Sequence, residues 1–157
     1  MLISYQLPCS YAFYSDLANN QEVNQSLCSI ISGNNIAEVI HPNLTIQNLQ
    51  FKKFMLLEPR YFHYLKYHNS SGSSHWEVCL STKSKPNTNP SEKECEITSI
   101  SCFEESKGHL AANVYLEIDL KSNIRARKVV HRVCEEVARY CDNLWSYARE
   151  NYSEVSA

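Results

Sequence analysis

From residue 122 to residue 152 apolar side chains return at alternating steps of four and three. Ala126, Val130, Val133, Val137, Tyr140, Leu144 and Tyr147 thereby share one face of a helix. Cys134, Ala138, Cys141, Trp145, Ala148 and Tyr152 form a second row that widens the stripe. Charged and polar residues, from Arg125 and Lys128 to Asp142 and Arg149, take the opposite side, where Glu135 and Arg139 are spaced to pair. Ser122 is the expected N-cap, since its hydroxyl can accept from an unpaired backbone N–H. No Gly or Pro interrupts the run. At about 1.5 Å per residue such a helix spans roughly 45 Å, more than a sheet of short strands usually covers.

Upstream the period changes to two. Leu110, Ala112, Val114, Leu116, Ile118 and Leu120 alternate cleanly with Ala111, Asn113, Tyr115, Glu117 and Asp119. Weaker alternation marks Ile3, Tyr5 and Leu7, then residues 44–57, the Tyr-rich run 60–68, and Trp76, Val78 and Leu80. Residues 95–103 alternate with a slip near Ser99, which reads as a bulge. Ser15 or Asp16 caps a short helix with Val23, Leu27, Ile30 and Ile31 on its buried side, stopped by Gly33, Asn34 and Asn35. Ile36 to Ile40 is a short apolar piece ended by His41 and Pro42. Turn chemistry lies at Glu58-Pro59, at residues 69–74 and at Lys107-Gly108. Residues 82–93 hold no apolar side chain besides two prolines and read as a mobile loop. The pattern predicts a single α+β domain over 1–157. It is a two-layer sandwich: an antiparallel meander sheet of about four to six strands, a short N-terminal helix, and a long C-terminal helix packed on the sheet.

Composition narrows the function. A chain of 157 residues buries a sufficient core without a staple. Net charge is −2, which gives no bulk attraction to nucleic acid or to an anionic membrane. Three glycines leave little for a phosphate-cradling loop. The seven cysteines are odd in number and form no CxxC pair. No secretory signal opens the sequence, so reduced thiols in the cytoplasm or nucleus are expected. Four glycosylation sequons, at Asn24, Asn43, Asn69 and Asn151, run against that reading without overturning it. No stretch is long and apolar enough to span a membrane.

Candidate chemistry is sparse. His75 and Cys79 are about 13 Å apart on a strand, too far to share an ion. His131 and Cys134 could chelate together on a helix but lack two further ligands. No metal and no cofactor is therefore expected. No nucleophile motif surrounds any Cys or Ser. Arg125, Lys128 and Arg132 crowd the start of the long helix, against its dipole, and form a candidate anion site. Glu117 and Asp119 offer the simpler balance for that charge. The same basic residues with Tyr61, Tyr64 and Tyr67 would be needed for nucleic acid, but Glu135 and Glu136 follow at once.

Two readings remain. The leading one is a non-enzymatic protein-interaction module, an adaptor, accessory or chaperone-like protein. Its over-long helix would bind a protein partner or pair as a homodimer through Val130, Val133, Val137, Tyr140 and Leu144, with Trp145 beside them. The alternative is a small-ligand-binding or cyclase-like helix-grip protein. Its cavity, between sheet and C-terminal helix, would be lined by Trp76, Tyr115 and Glu117.

Overall fold

The computed structural model describes residues 1–54, 57–83, 93–121 and 127–153. Its elements, in chain order, are β1 (Leu2–Leu7), α1 (Tyr11–Ala18), α2 (Gln21–Leu27), β2 (Ile31–His41), β3 (Leu44–Phe51), β4 (Arg60–Ser71), β5 (Ser74–Ser81), β6 (Lys93–Ser106), β7 (His109–Asp119) and α3 (Arg127–Asn151). The seven strands form one sheet in the order β1-β7-β6-β5-β4-β3-β2. From β2 to β7 it is a meander, each strand lying antiparallel beside the one before it. β1 then adds to the far edge, against β7. Where β5 has ended, Arg60, Tyr61 and Phe62 of β4 run parallel to Lys93, Glu94 and Cys95 of β6, which draws the middle of the sheet together.

Hairpin chemistry sets the register. Lys107 and Gly108 both have positive φ, 48° and 73°, as a two-residue turn between right-twisted strands requires. β6 and β7 consequently pair without interruption from Glu96↔Asp119 to Ser106↔His109. The bulge expected near Ser99 is not there. The slip in pattern arises because Ser99 and Ser101 are buried on the inner face of a regular strand. The irregularities lie instead on β2, whose register against β3 shifts three times between Ile31 and His41. Those shifts explain why β2 shows no clean alternation, and why Ile30 and Ile31 looked like the end of a helix.

The N-terminal helix is two helices. Ser10, not Ser15 or Asp16, caps α1 by accepting from the Phe13 N–H at 3.2 Å. Asn20 caps α2 by accepting from Val23 at 3.1 Å. The Asn24 amide Nδ2 is within 3.1 Å of the backbone carbonyls of Leu17, Ala18 and Asn20, and its Oδ1 accepts from the Tyr140 hydroxyl at 2.9 Å. This side chain ties both small helices to α3, so the Asn24 sequon has no free amide to carry a glycan.

The described part of α3 starts at Arg127 and runs for 25 residues, about 37 Å. Ser122, Arg125 and Ala126, and with them the expected cap, lie outside the described residues, as do 84–92 of the polar loop. α3 lies on the same face of the sheet as α1 and α2. Leu144 and Ala148 lock its second half into a cluster with Leu7, Leu17, Phe103 and Leu110. Near its start Val129 joins Cys28, Ile30, Phe54 and Leu57. No helix among the described residues is long and apolar enough to cross a membrane.

Candidate ligand chamber

The inner face of the sheet is not uniformly apolar. On β7 and β1 it carries Val114, Leu116, Ile118, Ile3 and Tyr5, with Ile97 and Ser101 beside them on β6. On the other side β2 and β3 supply Ile31, Leu49 and Phe51. α3 roofs the space with Val133, Glu136, Val137, Tyr140 and Cys141, and Tyr14, Cys28 and Ile30 complete the lining. Together they enclose a chamber of about 230 Å³. It lies between the two places where α3 is packed down, Leu144 in one cluster and Val129 in the other.

The chamber continues into a groove of about 490 Å³, with Leu116, Ile118 and Val133 as walls common to both. The groove passes under the first turns of α3, between Leu120 and Val129, to Met1 and to Val130, which is 65% exposed. Beyond it a wider surface depression is bordered by Arg127, Lys128 and His131. Arg60 fixes one side of this mouth: its guanidinium donates to the carbonyls of Leu120 at 3.0 Å and Glu58 at 2.8 Å.

Beneath the middle strands lies a buried polar network. Glu77 on β5 accepts from the Tyr11 hydroxyl at 2.9 Å and stands 3.7 Å from the Lys66 ammonium on β4. Tyr64 donates to Gln47 at 3.3 Å, and Tyr11 stacks on His75 with ring centroids 3.9 Å apart. A buried charge of this kind persists only with partners. Sequence reasoning missed the network because β5 is inverted. Its apolar row, Trp76, Val78 and Leu80, faces outward, and its polar row, Glu77, Cys79 and Ser81, faces in. The signal was present in the sequence: Glu77 and Cys79 align with the equally polar Ser101 and Ser99 on β6.

Burial shapes the titration of the lining. Desolvation holds the phenols of Tyr5, Tyr14 and Tyr140 well above their ordinary range, and Tyr5 and Tyr14 share a hydrogen bond. It also raises the thiols of Cys28 and Cys141. The phenols and thiols of the lining therefore stay uncharged at neutral pH. Burial acts likewise on Cys9 and Cys95 outside the chamber, pushing each up to about 11. Between the ordinary value near 9 and about 11, the unfolded chain gives up protons that the folded chain keeps. Stability is then whole below pH 9 and falls as pH rises through that window. At pH 8, iodoacetamide is expected to label exposed Cys102 and Cys134 first. Cys9 and Cys95 should lag by about a hundredfold or more in the folded protein, since their thiolate fraction is about a hundredfold below that of an ordinary thiol. Peptide mapping with equal rates at all four would refute that burial.

The sequence-predicted site residues separate into two groups. Val133, Val137, Tyr140 and Leu144 face the chain's own sheet, as chamber roof or core. Val130 and Trp145, at 65% and 41% exposure, look outward. Trp76, Tyr115 and Glu117 do not line the chamber: Trp76 and Tyr115 stand on the outer face, and Glu117, which accepts from the Tyr115 hydroxyl at 3.0 Å, borders the groove and the depression beyond it. The physical reason is the period-two pleat, which puts Val114, Leu116 and Ile118 inward and their neighbours out. Arg132 is already paired, at 2.7 Å with Glu136 and 3.5 Å with Glu135, while Lys128 borders the mouth and Arg125 lies outside the described residues. Arg139 pairs with Glu136 rather than with the expected Glu135.

No family model matches the chain, and no curated protein matches its sequence. Solved structures do match its fold. The human StarD13 (DLC2) lipid transfer and protein localization domain superposes with a TM-score of 0.74 at 14% identity, over 91% of this chain and 75% of that one. Human STARD10 gives 0.77 at 10% identity over 95% of this chain, which spans 64% of that structure's length. A START superfamily protein from Mycobacterium smegmatis gives 0.64 at 11% identity, over 97% and 98% of the two chains. This likeness, with the chamber at the place where α3 crosses the sheet, overturns the expectation of an interaction module built on an over-long helix. Val133, Val137, Tyr140 and Leu144 of the apolar stripe face the chain's own sheet. The chain has the helix-grip fold of the START proteins: a long antiparallel sheet of seven strands with a C-terminal helix packed on it.

Proposed function

We propose that this protein binds one small apolar or amphipathic molecule between its sheet and α3 and shields it from water. The observation that carries the reading is the chamber itself, apolar over most of its wall and continuous with the groove under the start of α3. Ligand sites are typically concave, mostly apolar and furnished with a few placed polar groups. At about 230 Å³ the chamber is smaller than most drug-sized pockets. The ligand therefore places one segment inside and lets the rest follow the groove. Neighbours named as lipid transfer proteins make lipids the first class to test. Seven free thiols fit a reducing compartment, the cytoplasm or nucleus.

The test is titration with the uncharged fluorophore N-phenyl-1-naphthylamine, followed by displacement with lipids. Saturable binding at one probe per chain, reversed by an apolar lipid, is the expected result. A weak, unsaturable rise in fluorescence, with no lipid retained in native mass spectra, would remove the proposal.

A further inference from the structure

Glu136 is the one ionisable carboxylate among the described residues that line the chamber, and it is 2% exposed. Its two oxygens are used unequally. Oε1 takes Arg132 Nη2 and Arg139 Nη1, each at 2.7 Å. Oε2 takes, among the described residues, only the Ser29 hydroxyl at 3.4 Å, a long contact for an O–H donor. An ionised carboxylate oxygen can accept about two hydrogen bonds. Oε2 thus keeps accepting capacity, on a residue that lines the chamber.

The other polar groups point the same way. The Tyr140 hydroxyl spends its proton on Asn24 and retains only lone pairs. No Lys, Arg or His lines the chamber among the described residues. Arg132 and Arg139, with side chains 37% and 51% exposed, hold Glu136 from outside. The chamber therefore offers neutral hydroxyls and thiols and one carboxyl group, and no cation. A carboxylate or phosphate head group would enter without a counter-charge, which is costly in an apolar site. An ammonium would meet a carboxylate oxygen already taken by two guanidiniums.

Resting on the proposed function, we infer that the ligand carries a neutral hydroxyl, donated to Glu136 Oε2, and that acidic amphiphiles are rejected. Glu136 is then the residue that selects the head group. The test is displacement of N-phenyl-1-naphthylamine by three probes with the same tail, 1-decanol, decylamine and decanoate, at neutral pH. Decanol is expected to displace at a concentration at least about tenfold below either of the others, the worth of one hydrogen bond to a charged acceptor. In Glu136→Gln the affinity for decanol should fall about tenfold and the preference over decanoate should narrow. A melting curve recorded alongside reports whether the variant is folded, and the wild-type series decides the matter even where it is not. Equal displacement by decanol and decanoate would overturn the inference while leaving carriage intact. Decylamine matching or beating decanol would overturn the choice of a neutral head. Failure of the fluorophore to bind at all would instead remove the underlying function.

Discussion

Leu144→Ala is expected to lower unfolding free energy by about 2–5 kcal/mol, while Trp145→Ala, one residue on, changes it by less than about 1 kcal/mol. Leu144 is 1% exposed and packs into the cluster of Leu7, Leu17, Phe103 and Leu110. Removing its isobutyl group loses the transfer energy of those atoms and leaves a cavity that Phe103 and Leu110, fixed in adjacent strands, cannot collapse into. Trp145 is 41% exposed and carries the Arg149 guanidinium 5.4 Å from its ring centroid. Urea unfolding of both variants measures the contrast. Similar losses for the two would mean that Trp145 is buried against something else, and would reopen the partner seam that the outward row of α3 suggested. The prediction reaches function as well, because Leu144 and Ala148 fasten the roof while Val130 stands clear at the mouth. A loosened second half should let the roof lift, so Leu144→Ala ought to weaken probe binding more than its stability loss alone explains.

The legible parts of this fold are those where one physical demand acted on a segment at a time. β7 reads cleanly because one side faces an apolar interior and the other faces water, so a period of two survives in Leu110, Ala112 and Val114. α3 reads as a helix because its sheet-facing stripe is continuous, even though the true inward line also runs through Val129 and Glu136. Illegible segments answered two demands together. β2 bends through three register shifts, and each shift resets which residue faces in. β5 and the middle of β6 turn polar residues inward to build the Glu77 network, so hydrophobicity ceases to mark the buried side. That inversion misled the search for chamber walls. Trp76 and Tyr115 are large and aromatic, as pocket residues often are, yet they occupy outward positions beside Cys102 and Ile100. Glu136 escaped notice for the opposite reason. In a helix rich in charge it looked like one more solvated acid, and only the packing of Ser29, Arg132 and Arg139 around it shows that it is buried.

Val137→Phe is expected to weaken binding of N-phenyl-1-naphthylamine by at least about tenfold and to leave stability within about 1 kcal/mol. Enlarging a side chain inside a close-packed core usually costs about 1–3 kcal/mol, because neighbours must leave their rotamers. Val137 faces unfilled space in a chamber of about 230 Å³, so the added ring has room and that strain does not arise. The same ring occupies volume that the ligand needs, and the overpacking cost moves from the free protein to the complex. Ile100→Phe supplies the control, since Ile100 is 47% exposed on the outer face and adds comparable bulk far from the chamber. The pattern to look for is a split: stability unchanged in both variants, binding lost in one. Were Val137→Phe instead to lose stability and keep its affinity, α3 would lie tight on the sheet at this point, and the ligand would have to sit in the groove between Leu120 and Val129 alone. Binding would then respond to Val133→Phe, whose side chain borders groove and chamber alike, and the helix would serve as the rim of an open trough with nothing enclosed beneath it.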